Sequence, residues 1–141
     1  MNYLLDTCLI SELIKPRADR RVVAWLGSVP EDRLYLSVLT LGELQKGIVK
    51  LGDGVRARRL RKWLDVDVRG RFADRMLVAD EEVLLCWGDI AGEAERRGHP
   101  LPVVDSLLAA TARVHHLTFV TRDTGDLSSA GIEVFDPWKK R

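Results

Sequence analysis

The chain has 141 residues, and its 22 Lys and Arg against 21 Asp and Glu give a formal net charge of +1. This length predicts one domain, residues 1–141, with room for a substantial core, and the near-neutral charge identifies no polyanionic partner. Every apolar run is shorter than the roughly 20 residues that cross a bilayer, which argues against a membrane span.

The amino-terminal segment MNYLLDT reaches a charged residue at Asp6, so it does not have the pattern of a secretory leader. The two cysteines, Cys8 and Cys86, show no C-x-x-C spacing. We therefore expect a cytoplasmic protein whose thiols are reduced.

Short apolar runs typical of strands alternate with longer runs at helical spacing along the whole chain. The first half predicts a strand at 2–5, helices at 9–14 and 22–27, a β-rich run at 33–39, a helix from 40 to 51 and a basic amphipathic helix between 54 and 75. The second half predicts a brief strand at 76–79, helices at 83–98 and 103–116, and strands at 117–121 and 132–135. This alternation predicts an α/β fold: one central, mostly parallel sheet of about four to five short strands flanked by helices.

Four acidic residues, Asp6, Glu43, Asp105 and Asp123, stand where a strand-like run stops or a helix-like run starts. An open parallel sheet forms its binding crevice outside the carboxyl ends of the strands, so these side chains can converge. Clustered carboxylates repel one another and raise each other's pKa values unless a cation neutralises them. Oxygen ligands alone favour Mg²⁺ or Mn²⁺ over zinc.

Each acid taken alone also has an ordinary structural role. Asp6 and Asp105 could be helix N-caps, and Glu43 could form a capping box with Thr40. Asp123 could organise a turn together with Asp126. These roles do not explain why acids follow several separate strands, so the joint arrangement favours a common site.

Four segments around these acids resemble, in order and spacing, the PIN-domain ribonucleases, and more narrowly the VapC and FitB-type toxins of toxin–antitoxin pairs. The segments are YLLDTCLISEL (3–13), LTLGELQKGI (39–48), LPVVDSLLAATA (101–112) and FVTRDTGDL (119–127). The closing Asp-Pro-Trp at 136–138 is similar to the Asn-Pro-Trp found at the end of such toxins. The resemblance covers nearly the whole chain.

The resemblance implies a metal-dependent endoribonuclease that a protein antitoxin inhibits and that forms a homodimer. It places catalytic and metal-binding roles on Asp6, Glu43, Asp105 and Asp123, with Asp6 and Asp105 as the primary ligand pair. Asp126 is an accessory candidate. One Mg²⁺ or Mn²⁺ ion would activate a water for in-line attack on phosphorus, and a second, if present, would stabilise the leaving oxygen.

Three positions depart from the family pattern. Cys8 stands where a small polar residue such as Asn is common, which puts in doubt a hydrogen bond that orients Asp6. Asp123 replaces a frequent Asn, which favours metal binding, and Asp136 replaces the Asn before Pro-Trp.

Several neighbouring residues have both functional and structural interpretations. Thr7 and Thr121 could orient a carboxylate or a metal-bound water, or they could be turn and cap hydroxyls. Lys46 could contact a phosphate or be a surface lysine, and the basic helix could follow RNA phosphates or be a solvated face. The tryptophans at 25, 63 and 87 fit core packing, and no histidine shows metal-ligand spacing.

Other functions remain open at this stage. A PIN nuclease of RNA processing and a catalytically silent PIN scaffold both fit the same segments. A phospho-receiver domain does not, because Asp6 is followed by Thr7 and Cys8 instead of a second acid. The sequence leaves open which RNA is cut.

Overall fold

The strands form one parallel five-stranded sheet in the computed structural model, which describes residues 1–125 and 127–139. They are β1 (Tyr3–Leu5), β2 (Leu34–Ser37), β3 (Met76–Leu77), β4 (Thr118–Val120) and β5 (Val134–Phe135). The strand order is β3-β2-β1-β4-β5, so the chain extends the sheet first on one side of β1 and then on the other. This reversal puts a topological switch point between β1 and β4, where α/β sheets form their binding crevice.

Helices cover both faces of the sheet, which confirms the predicted α/β architecture. They are α1 (Thr7–Leu13), α2 (Arg20–Ser28), α3 (Val38–Lys50), α4 (Val55–Lys62), α5 (Arg69–Arg71), α6 (Glu81–Arg96) and α7 (Val103–Val114). Successive strand residues point to opposite faces, so Leu5 packs with the core under α1 to α4, and Leu4 packs with the core under α6 and α7. Burial on both faces explains why the strands are continuously apolar.

Helix α3 begins earlier than the sequence predicted. Its N-cap is Ser37, whose hydroxyl accepts the Leu39 backbone N–H at 3.0 Å. Thr40 is therefore inside the helix, and the capping box between Thr40 and Glu43 is wrong. Because the mostly buried strand β2 runs directly into α3, Ser37 alone marks the boundary between them.

The basic segment is helical as predicted, but its turns are not uniform. Helix α4 continues through a π-helical stretch, Trp63–Val68, into the short α5. Leu64 and Val68 of this stretch are buried in the same core as Ala57. Hydrophobic periodicity alone cannot distinguish such a stretch from an ordinary helix.

The remaining expectations on packing are confirmed. Cys8 and Cys86 are free thiols, and the tryptophans at 25, 63 and 87 pack with the two cores. Among the helices of residues 1–125 and 127–139, none is long and apolar enough to cross a membrane.

Candidate active site

Asp6 follows β1 and is held by three hydrogen bonds to its carboxylate. One oxygen accepts the Thr7 backbone N–H at 2.7 Å and so caps α1. The other accepts the Thr121 hydroxyl at 2.7 Å and the Cys8 thiol at 3.2 Å. Because Thr121 directly follows β4, these contacts join the two strands at the switch point. The side chain is buried, and its role as a cap does not exclude a role in a site.

Glu43 lies on the second turn of α3 and is connected to the same region through Thr7. The Thr7 hydroxyl donates to a Glu43 carboxylate oxygen at 2.5 Å, and a further hydrogen bond of 3.0 Å joins the hydroxyls of Thr7 and Thr40. Thr40 is completely buried. The residue after Asp6 therefore fixes the orientation of Glu43, as the sequence analysis allowed for Thr7.

Asp105 lies in the first turn of α7, whose N-cap is Pro102, so the N-cap role considered for Asp105 is wrong. The pKa of its half-buried carboxyl is raised from 3.8 to about 6. Burial is the largest cause, followed by the negative charges of Asp6, Glu43 and Asp123. The structure thus brings all four predicted acids into one electrostatic neighbourhood.

Asp123 is exposed and follows β4 by three residues. Its backbone N–H donates to the Thr121 hydroxyl at 3.2 Å, so Thr121 connects Asp123 to Asp6. Asp126 lies outside the described residues, and its accessory role stays a prediction.

The chemistry of these side chains fits a hard divalent cation. The donors are carboxylate oxygens, and burial, followed by the negative charges of the other three acids, raises the pKa of Asp105. Within residues 1–125 and 127–139, however, no group of three or more His, Cys, Asp or Glu side chains is arranged to hold an ion. The assignment of all four acids as metal ligands therefore stays a prediction.

Cys8 supplies the hydrogen bond that the sequence comparison put in doubt. Burial, and next the charge of Asp6, raise the pKa of the Cys8 thiol to about 12. The side chain is therefore a neutral thiol that donates to Asp6, not a nucleophilic thiolate.

An open groove of about 390 Å³ runs beside the acids. Glu43 and Lys46 line it together with Val104, the residue before Asp105. Lys46 is exposed, and its contact with a phosphate stays a prediction. In the basic helix, Arg58 donates to the Asp53 backbone carbonyl at 3.3 Å, and Arg61 lies 3.9 Å from the exposed Asp53 carboxylate. The contact of this helix with RNA phosphates stays a prediction.

Sequence reasoning missed Arg122 and Glu12. The Arg122 guanidinium lies 5.4 Å from the ring centroid of Trp138, beside Thr121 and Asp123. The Glu12 carboxylate is buried and accepts the Trp138 indole N–H at 3.3 Å. A cation inside the FVTRDTGDL segment was visible, but its contact with the closing tryptophan required the fold.

Comparisons with known proteins agree with this architecture. The family model described as PIN domain matches residues 3–132. Toxin FitB of Neisseria gonorrhoeae is 40% identical over 135 residues, covering 96% of this chain and 97% of FitB. VapC ribonuclease Y4jK of Sinorhizobium fredii is 34% identical over 136 residues, covering 96% of this chain and 97% of that protein.

Solved structures give the same result. The crystal structure of FitAcB from Neisseria gonorrhoeae has a TM-score of 0.90 at 40% identity and covers 96% of this chain and 98% of that chain. A structure of FitAB bound to a DNA fragment has a TM-score of 0.92 at 37% identity and covers 99% of this chain and 97% of that chain.

Proposed function

The chain belongs to the PIN domain family, and on that basis we propose that it is a divalent-metal-dependent endoribonuclease acting as the toxin of a toxin–antitoxin pair. The observation that carries the proposal is the gathering of carboxylates at the switch point. Thr121 donates to Asp6 and Thr7 donates to Glu43. Burial, followed by the negative charges of Asp6, Glu43 and Asp123, raises the pKa of the Asp105 carboxyl. Carboxylates gathered in this way are useful to a protein that binds a cation there. The similarity to a toxin and to a ribonuclease over nearly the full chain supports the choice of RNA cleavage.

In this proposal Asp6 and Asp105 are the primary ligands of Mg²⁺ or Mn²⁺, and Glu43 and Asp123 complete the site directly or through water. When bound, the cation supplies an activated water and neutralises charge on the phosphate. Thr121 holds one Asp6 oxygen, and the Thr7 backbone N–H holds the other. The Thr7 hydroxyl keeps Glu43 turned toward the same region. These contacts set the positions of the acids before substrate arrives, which limits reorganisation during the reaction.

The proposed partner in the cell is a protein antitoxin. Two of the similar structures are of the complexes FitAB and FitAcB. Apolar residues of the first two helices are candidates for partner contacts. Val22 and Trp25 are buried inside this chain, whereas Ile14 and Val23 are 39% and 48% exposed. We propose that Ile14 and Val23 contribute to such a contact in the cytoplasm and that the toxin is a homodimer.

The test of cleavage is an incubation of purified protein with total RNA and Mg²⁺ or Mn²⁺, followed by sequencing of the new ends. Parallel reactions contain a chelator, the Asp105→Asn variant, or the control Asp32→Asn. Asp32 is an exposed acid that precedes β2, so it lies at the amino ends of the strands, and the site lies at their carboxyl ends. We expect discrete new ends with the parent and Asp32→Asn only when metal is present. Cutting that persists in chelator or in Asp105→Asn contradicts the proposal.

Expression in cells separates a toxin from a nuclease of RNA processing. A toxin should stop growth when the parent is induced, and Asp105→Asn should not. Co-expression of the cognate antitoxin should restore growth and co-purify with the chain. Unchanged growth at a level of parent protein that cleaves RNA in the test tube contradicts the toxin role.

A further inference from the structure

Arg122 is an exposed cation beside the acid cluster. It lies between Thr121, which contacts Asp6, and Asp123. Its guanidinium is 5.4 Å from the Trp138 ring centroid, a distance typical of a cation–π contact. Within the described part of the chain, no carboxylate lies within ion-pair distance of this guanidinium. The contact with the indole thus keeps a positive charge available although acids are close by.

The aromatic platform under Arg122 is itself fixed. Trp138 is 5% exposed, and its backbone N–H donates to the Asp136 carboxylate at 2.8 Å. Its indole N–H donates to Glu12 at 3.3 Å. Glu12 also accepts the Asp19 backbone N–H at 3.0 Å and the Lys15 ammonium at 3.1 Å. These donors, first of all the Asp19 N–H, lower the pKa of Glu12, so its carboxylate is ionised and remains an acceptor for the indole.

We propose that Arg122 binds a phosphate of the RNA next to the one that is cut, and that Trp138 and Glu12 are positioning residues for it; this rests on the proposed ribonuclease function. A cluster of carboxylates repels a polyanion, so a cation at its edge assists substrate binding. The guanidinium presents a planar fork of N–H donors that matches two phosphate oxygens. The cation–π contact with the indole does not use the N–H donors of that fork, so they stay available for the phosphate.

A purely structural role makes a different prediction. If Arg122 only covers Trp138 and secures the end of the chain, its replacement lowers the stability of the fold and leaves RNA affinity unchanged. A phosphate contact changes the salt dependence of binding, because each neutralised phosphate releases counterions. A contact to a phosphate that does not react changes KM more than kcat.

The experiment measures RNA binding over a range of salt concentrations in the Asp105→Asn background, which prevents cleavage. Arg122→Gln is compared with Arg122→Lys and with the control Arg33→Gln. Arg33 is an exposed arginine that precedes β2, at the amino ends of the strands and away from the acids. We expect Arg122→Gln to reduce the slope of log K against log salt by about 0.7, the value for one single-strand phosphate. Arg122→Lys should keep the slope, and Arg33→Gln should behave as the parent.

Kinetics of the active protein provide a second measurement. We expect Arg122→Gln to raise KM by roughly tenfold, as for one lost charge-assisted hydrogen bond, with kcat within about twofold of the parent. Trp138→Phe, which keeps a ring and removes the indole N–H, should raise KM by a smaller factor.

The possible outcomes separate the two proposals. An unchanged slope and KM in Arg122→Gln overturns the role of Arg122, even if the thermal midpoint falls. Equal losses in Arg122→Gln and Arg33→Gln also overturn it, because the effect is then general charge attraction. If the parent binds RNA but never cleaves it, the ribonuclease proposal fails, and the slope still decides on Arg122.

Discussion

Asp6 and Asp105 are both carboxylates of the proposed metal site, but their surroundings in the fold differ. Both Asp6 oxygens accept hydrogen bonds, from the Thr7 backbone N–H, the Thr121 hydroxyl and the Cys8 thiol. For Asp105, by contrast, the described residues supply no donor, and its pKa is raised to about 6. The fold therefore supplies hydrogen-bond donors to the Asp6 carboxylate. The charge of Asp105 is left to be neutralised by a proton or a cation.

This difference indicates which part of the site is costly to the fold. An acceptor with three donors stabilises the protein as well as the site. A half-buried carboxyl among other acids opposes folding whenever it is charged. Such an arrangement is typical of a functional group, because nothing in the packing requires it.

The largest expected effect is on the rate of RNA cleavage, for which Asp6 and Asp105 should be equally important. We expect Asp6→Asn and Asp105→Asn each to reduce metal-dependent RNA cleavage by more than about 100-fold, since even outer partners of metal ligands contribute about 10- to 100-fold. Initial rates on a defined RNA, with Asp32→Asn as the control, measure this. If one of the two variants keeps full activity, the acids do not act as a single site.

Substitutions of Asp6 and Asp105 should change the free energy of unfolding in opposite directions. We expect Asp6→Ala to lower the free energy of unfolding by about 2 kcal/mol, because it removes a helix cap and leaves the buried Thr121 hydroxyl without its acceptor. Asp105→Asn should raise the stability of the metal-free protein near neutral pH, because it removes a repelled charge. Denaturant unfolding in chelator gives both values. If Asp105→Asn lowers the free energy of unfolding, the charged Asp105 carboxyl does not oppose folding.

Substitutions of Thr121 test whether its hydroxyl orients the Asp6 carboxylate. Thr121→Val keeps the shape of this buried residue and removes the donor to Asp6, so we expect a loss of about 1 kcal/mol in stability and about tenfold in cleavage. Thr121→Ser keeps the hydroxyl and should restore most of the cleavage rate. If Thr121→Val and Thr121→Ser cleave equally fast, the hydroxyl does not orient Asp6.

The pH dependence of stability should report on Asp105. Its folded-state pKa of about 6 lies above the ordinary value of 3.8. The stabilising contribution of such a group is complete below its ordinary pKa and is lost as pH rises through the folded-state pKa. The metal-free parent should therefore lose stability relative to Asp105→Asn between about pH 4 and pH 6. A parent-minus-variant difference that stays constant over this window rules out the raised pKa.

The smallest expected effect is at Cys8. Because burial and the charge of Asp6 raise the pKa of its thiol to about 12, alkylation of Cys8 in the folded protein should be very slow near pH 8. Cys8→Ser keeps a donor to Asp6 and should change cleavage by less than about threefold. Mass spectrometry of native and unfolded samples after alkylation measures the first expectation. Rapid native labelling of Cys8 contradicts it.

Much of this fold could be predicted from the sequence because its elements have local causes. The alternation of apolar runs predicted a mostly parallel α/β sheet and placed Asp6 and Asp123 at the ends of separate strands. That β1 and β4 are neighbours came from the fold. The N-cap role of Asp6 followed from its position before α1. Helix α3 was placed late because Ser37 both ends a buried strand and caps the helix.

The contacts that define the site are not local, and the sequence could not show them. The Thr7 hydroxyl reaches Glu43 across 36 residues, and Trp138 reaches Glu12 across 126 residues. Whether Asp105 is repelled or hydrogen-bonded depends on which side chains the fold brings around α7. Arg122 was missed for the same reason, because its partner Trp138 lies in a separate segment at 136–138.

We propose that the carboxylates of Asp6 and Asp105, although they are held so differently, bind the same divalent cation. A thermal unfolding titration with Mn²⁺ tests this most directly, because a ligand that binds only the folded state raises the midpoint with concentration. We predict a saturable rise for the parent and for Asp32→Asn and none for Asp6→Asn or Asp105→Asn. An equal rise in all four proteins, or no rise in the parent, contradicts the account.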